Sequence, residues 1–335
     1  MKRWITRAGL VLFGCIVAFA AGEWIAAHSG VVDTPPGLFV EHPTRSFANR
    51  PGFKGRDRRG NPIRINSMGL RNPEISLDKP AGVMRVLVLG DSVAFGDGVR
   101  EEEAFPARLE GLLNAGGTSR WQVINGGVRG YNTVMEKRLF EEVGLRYQPD
   151  WVVLAYVLND AEPLERQGGM IDPRHRTLLA IKNFAKEHFY LYSLLRKVVE
   201  LWRWQQGPMG AMETYEAQFA PDHPGWRASE EAVEDIRDLA AQANARFLFA
   251  VLPVLGKAAP ETQAADEAIR RRVVALGKRL GVRTLDFQPL FGGTPGRDAQ
   301  IEERDTFHPN PTGHRMIAEA LEKEIMRPAG EAPDA

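Results

Sequence analysis

Four short groups of residues in this chain carry side chains suited to polar chemistry. Gly90-Asp91-Ser92 follows the apolar run 84–89. A strand-to-helix turn there uses glycine to bring the backbone close, presents the Ser92 hydroxyl, and aims amide N–H groups at an incoming anion. Asn125-Gly126-Gly127-Val128-Arg129-Gly130-Tyr131-Asn132 is a loop with three glycines, able to expose backbone donors. Asn159-Asp160 sets a carboxamide donor after the run 151–157. Asp305-Thr306-Phe307-His308-Pro309-Asn310 offers an acid and an imidazole three residues apart. In a turn, that carboxylate fixes the tautomer of His308 and leaves its other ring nitrogen free as a base. Each group alone also reads as a plain turn, a helix cap, a loop or half a metal site. Histidines paired at ligand spacing and cysteine companions are both absent from the sequence, so a metal is disfavoured, and His314 reads as a structural polar residue.

The elements that must position these residues follow from hydrophobic pattern. Continuous apolar runs at 84–89, 121–124, 151–157, 246–252 and 282–287 suit strands buried on both faces of a parallel sheet. Between them lie helical patterns. Ile269, Val273, Leu276 and Leu280 make one apolar face, and Ile317, Leu321 and Ile325 make another; Ser229 is a candidate cap for a helix facing inward with Val233, Ile236, Ala240 and Ala243. Alternating strand and helix predicts an α/β doubly wound parallel sheet of about five strands, and ligands bind such sheets at the carboxyl ends of the strands. The four polar groups lie where that rule places a site. Between 163 and 226 the rhythm breaks, with Leu191, Leu194, Leu195, Val198 and Trp202 on one helix face. This insertion is expected either to pack on the core or to form a lid or membrane-facing cap. Residues 28–82 read as a spacer with a small β element around 62–66, residues 83–327 as the main domain, and 328–335 as a frayed tail.

Lys+Arg and Asp+Glu each number 43 in the 335 residues, which removes the basic footprint that nucleic-acid binding needs. Cys15 is the single cysteine, so no intramolecular disulfide forms. Lys2, Arg3 and Arg7 precede the uncharged stretch 8–22, flanked by Trp4 and Trp24. This is expected to be a signal anchor at 1–27 in the inner (cytoplasmic) membrane, with everything after about residue 28 in the periplasm or otherwise outside the cytoplasm. Three alternatives stand beside it: a signal peptide cleaved after the small-x-small pattern Ala18-Phe19-Ala20, lipid attachment at Cys15, and a buried helix of the main domain.

Taken in order, Gly90-Asp91-Ser92 with the trailing Gly96, the 125–132 loop, Asn159-Asp160 and Asp305 to Asn310 resemble the four motif blocks of SGNH/GDSL hydrolases, over roughly residues 85–326. The resemblance implies a three-layer α/β/α, flavodoxin-like fold and a serine hydrolase acting on esters without a cofactor. It implies Ser92 as nucleophile, His308 as its base, Asp305 as the group orienting His308, and an oxyanion hole from the Ser92 and Gly130 amides and the Asn159 carboxamide. Two positions depart from the pattern: Leu158 stands where a glycine usually precedes the asparagine, and two glycines precede Gly130. With export, the expected substrate is an O-acyl, and foremost an O-acetyl, ester of envelope or secreted carbohydrate. A lipid ester, acyl transfer to a sugar hydroxyl, and a non-catalytic glycan-binding module are the alternatives.

Overall fold

The computed structural model describes residues 2–32, 34–116, 120–162, 184–206, 216–255, 260–292, 298–302 and 305–328. The five apolar runs form strands β5 (Val83–Gly90), β6 (Arg120–Gly127), β7 (Trp151–Tyr156), β8 (Arg246–Val251) and β9 (Arg283–Asp286). They pair entirely parallel in the order β6-β5-β7-β8-β9, as the alternation predicts. Four shorter strands precede them. β1 (Phe39–His42) and β2 (Ser46–Asn49) make one antiparallel hairpin, and β3 (Lys54–Arg56) and β4 (Pro62–Arg64) make another.

Because successive side chains of a strand point to opposite faces, the apolar runs build two cores at once. On one face Leu87, Leu89, Val152, Leu154 and Phe249 pack with Met135, Ile236 and Val273. These last come from α4 (Thr133–Glu142), α6 (Pro224–Gln242) and α7 (Pro260–Arg279). On the other face Val86, Val88, Val153 and Ala250 meet Leu109 of α3 (Phe105–Ala115) and Ile317 and Leu321 of α9 (Pro311–Met326). The remaining helices are α1 (Lys2–His28), α2 (Ser92–Phe95), α5 (Tyr190–Gln206) and α8 (Gln288–Gly292).

Ser229 departs from the expected cap. The helix begins a turn and a half earlier, at Pro224, with the His223 ring accepting from the Gly225 amide. Proline at the first helical position is pre-set for that start. Ser229 is instead a fully buried interior hydroxyl bonded to Tyr156 Oη at 2.9 Å and Thr133 Oγ1 at 3.1 Å. Ala243 is the C-cap of that helix rather than part of its inward face, which runs through Val233, Ile236 and Ala240.

α1 is long and apolar enough to cross a membrane, by length and composition, and its residues 3–21 are exposed. Its end is tied down by α5. The Glu23 carboxylate accepts from the Tyr190 and Leu191 amides, and Phe19 meets Phe189 edge-on at 5.2 Å. On α5, Leu191 and Leu194 are half-buried, whereas Leu195 and Val198 are 58% and 52% exposed. The Trp202 side chain and residues 163–183 and 207–215 of the expected insertion lie outside the described residues.

Candidate active site

Three of the four motif groups leave the carboxyl ends of three adjacent strands, β6, β5 and β7, so they must converge on one edge. Ser92 opens α2 directly after β5. Asp91 caps that helix, accepting from the Val93 amide at 2.8 Å, and is itself buried. The turn is pinned from behind by Arg71. Its guanidinium, also buried, donates to the carbonyls of Phe95, Gly96 and Val99.

β6 then has to pass over this turn, and glycine alone permits it: a Cβ on Gly127 would lie 2.2 Å from the Phe95 nitrogen. The Gly127 amide donates to Asn125 Oδ1 and the Val128 amide to the Gly90 carbonyl. Gly130, by contrast, has a left-handed backbone, φ 77°. Its neighbour Tyr131 offers a carbonyl to Asn159 Nδ2 at 3.1 Å. A carboxamide nitrogen has two protons, so one fixes the Asn159 side chain to the glycine loop while the other is still available to a ligand.

The last group is held near the end of β8 by the Leu255 amide on the Thr306 carbonyl, and the Ile301 amide bonds the His308 carbonyl. Here the spacing of the sequence closes as a local turn. Asp305 Oδ1 accepts from the Phe307 and His308 amides, and Oδ2 lies 2.8 Å from His308 Nδ1. With a carboxylate at Nδ1, that nitrogen carries the proton, so Nε2 presents a lone pair. Nε2 lies 2.8 Å from Ser92 Oγ, across 216 residues of sequence. The structure thus brings Ser92, His308 and Asp305 into one hydrogen-bonded chain.

Charge around the ring sets its proton affinity. Burial alone would push the His308 pKa down, but the hydrogen bond to Asp305 and the fields of Asp97, Asp305 and Asp91 outweigh it and hold the value above the ordinary one. Burial would likewise raise Asp305, yet its bonds to His308 and the two amides keep it below the usual carboxylate range. Asp97 lies 3.9 Å from Nε2 and pairs with Arg129 at 2.7 Å. Among the described residues no group of three acidic, histidine or cysteine side chains could hold a metal ion.

Sequence reading missed several contributors to the cleft of about 150 Å³ around this ring. Its walls include Asp57, Arg58 and Arg59 from the β3–β4 turn, with Asp97 and Arg129. Arg58 and Arg59 both pair with Glu302. A Gly- and Arg-rich turn carries no periodic signal that it will meet a loop 243 residues later. His314 lies apart from this chain of groups: it is buried, accepts from the Phe105 amide, and burial holds its pKa down at about 3. A second cavity, about 230 Å³, opens beside Leu158, with Tyr156, Val251 and Val273 on its apolar side and Asp266 on its polar side.

The profile of the GDSL-like Lipase/Acylhydrolase family matches residues 88–316. Similar solved structures include an acetylxylan esterase from Geobacillus stearothermophilus, at 18% identity over 73% of this chain and 95% of that one, TM-score 0.47. Another is a lipase/acylhydrolase from Enterococcus faecalis, at 16% identity over 72% and 95%, TM-score 0.46. No curated protein sequence matches the chain.

Proposed function

We propose, for a chain that belongs to the GDSL-like lipase/acylhydrolase family and is therefore an ester-hydrolysing enzyme, that Ser92, His308 and Asp305 cleave acyl esters of carbohydrate outside the cytoplasm. The observation that carries this reading is the 2.8 Å contact from Ser92 Oγ to an imidazole nitrogen whose partner nitrogen is held by a carboxylate. A serine hydroxyl is a weak nucleophile until a base takes its proton. His308 Nε2 takes it as Oγ attacks the ester carbonyl, and Asp305 stabilises the imidazolium that results. The imidazolium then gives the proton to the departing alcohol oxygen. An acyl-serine remains, and water activated by the same nitrogen releases the acid.

The tetrahedral intermediate needs donors where its negative charge develops. We assign these to the amides of Ser92 and Gly130 and the free N–H of Asn159. The Gly130 assignment is supported by its neighbours, since Gly126 and Gly127 belong to β6 and the Gly127 amide is already engaged. The alcohol side of the ester is read as a sugar because the cleft beside His308 is walled by charged side chains. The apolar-sided cavity near Leu158 favours a second reading, a longer acyl chain.

The catalytic domain is read as held by α1 in the cytoplasmic membrane. Support comes from the basic residues before the apolar stretch, from Trp4 and Trp24 exposed near its two ends, and from the 163–226 segment meeting that helix through α5.

The test is turnover of acetylated oligosaccharides and of aryl esters of two to eight carbons, with active-site labelling by a fluorophosphonate. Ser92→Ala and His308→Ala are expected to fall by at least about a thousandfold, with Asp305→Ala retaining more and the Ser92/His308 double change adding little. Wild-type turnover in Ser92→Ala would end the reading, and rates that rise steeply with chain length would replace sugar esters by lipid esters.

A further inference from the structure

A groove of about 340 Å³ lies between the chain leaving α1, the β1–β2 hairpin and α5, and the mechanism above makes no use of it. Phe39 and Phe47 give it apolar surface, while Arg129, Lys186, Arg196 and Lys197 give it positive charge. Glu187 also lines the groove and is engaged by Arg50 at 2.9 Å, and Arg129 is paired with Asp97 at 2.7 Å. Cations gathered around a concave, partly desolvated surface focus an attractive potential for anions, and guanidinium forks match carboxylate geometry.

Arg129 belongs to both places. It lines the groove and also lines the cleft that holds His308 and Asp305. Its buried guanidinium is set by Asp97, which stands 3.9 Å from His308 Nε2. Groove and cleft therefore adjoin at Arg129, and a long substrate with its ester at Ser92 has the groove open to its non-reacting part. Thr34, Ser193 and the cations of the lining offer hydrogen-bond donors that sugar hydroxyls and carboxylates can use and lipid tails cannot.

We propose that this groove binds an acidic glycan, with Arg196 and Lys197 holding carboxylates of sugar units next to the one whose ester is cleaved. The proposal rests on the carbohydrate-ester reading and names its substrate class: acylated polysaccharide bearing uronate groups.

The test uses the full chain in nonionic detergent, carrying Ser92→Ala so that nothing is turned over. Binding of hexagalacturonate, neutral xylohexaose and short-chain phosphatidylglycerol is measured by calorimetry. The uronate is expected to bind at least about tenfold more tightly than the neutral oligosaccharide, and to weaken by about tenfold in R196E/K197E. The conservative exchange R196K/K197R should keep the binding. Equal affinity for the two oligosaccharides overturns the proposal, as does unchanged uronate binding in a charge-reversed variant of normal melting temperature. Preference for the phospholipid would make the groove a headgroup site and overturn it too. Should the charge-reversed variant fail to fold, salt decides in the parent protein, because uronate binding that survives about 0.5 M NaCl is not electrostatic. The carbohydrate-ester reading fails separately, when the uronate binds and the wild-type chain deacetylates no glycan.

Discussion

Ser92 has one hydroxyl proton and two acceptors in reach, His308 Nε2 at 2.8 Å and Asp91 Oδ2 at 3.1 Å. The shorter contact favours the imidazole, and the pH behaviour should report its environment. A base works only when unprotonated, so if His308 is the base its raised pKa is expected to set the acid limb of kcat/KM above the ordinary histidine value. Asp97 contributes to that rise by favouring the imidazolium. Asp97→Asn removes the negative charge and is expected to move the acid limb to lower pH, by up to about one unit, in a pH–rate profile of a neutral ester. An unmoved limb would show that Arg129 already cancels Asp97. Glu136 poses the opposite problem. It is buried with both carboxyl oxygens unpartnered, and burial, then Asp160 and Asp91, push its pKa well up. The folded chain keeps this proton where the unfolded chain loses it, so stability is greatest below the ordinary glutamate pKa and falls as pH rises above it. Glu136→Gln should flatten that decline in a series of melting temperatures from about pH 4 to 8; an identical slope in the variant would assign the decline elsewhere.

At the scale of elements, the proposed nucleophile Ser92 depends on a four-residue helix that could not stand alone. Its support is tertiary, coming from Arg71 behind and Gly127 above. Replacing Arg71 by leucine leaves buried carbonyls of Phe95, Gly96 and Val99 without their donor, at roughly 1–3 kcal/mol each before relaxation. Thermal denaturation should show a loss of several kcal/mol, with kcat falling as the turn loosens. Gly127→Ala forces β6 off the Phe95 backbone and should lower stability and turnover together, whereas Gly111→Ala, with open space around it inside α3, should raise stability by about 0.5–1 kcal/mol and leave turnover unchanged. α5 behaves differently. Val198 and Val199 are about half exposed, so changing both to asparagine is expected to leave the melting temperature nearly unchanged.

For the whole molecule, the proposal is a catalytic domain held at a membrane by α1. Two stretches remote in sequence are joined there, since Glu23 near the end of α1 accepts the first amides of α5. A carboxylate at a helix start satisfies donors that otherwise have no intrahelical partner. The full chain is expected in the membrane fraction, released by detergent and not by high salt, with its catalytic domain open to protease from outside. A mature protein that begins near residue 21 and stays soluble would replace the anchor by a signal peptide.

Much of this was written locally. Apolar runs of strand length, glycine turns after them and an Asp-x-x-His pair are short-range patterns, and the physics that reads them is equally short-range: steric access to a turn, the reach of a side chain, the period of a pleat. They are enough for the parallel sheet and for putting forward Ser92, Asp305, His308 and Asn159 as polar candidates, whereas the choice of Gly130 among the glycines comes from the family resemblance. Ser229 shows where local reading fails, because a cap and a buried interior hydroxyl look alike until the partner, Tyr156 on β7, is known. The charged cleft is wholly a tertiary product. Arg59 meets Glu302, Arg129 meets Asp97, and Arg71 reaches under the turn of Ser92 only after the strands have taken their order and brought distant loops to one edge. Single charges in turns have no period to betray them, and which of them meet is decided by sheet order and packing.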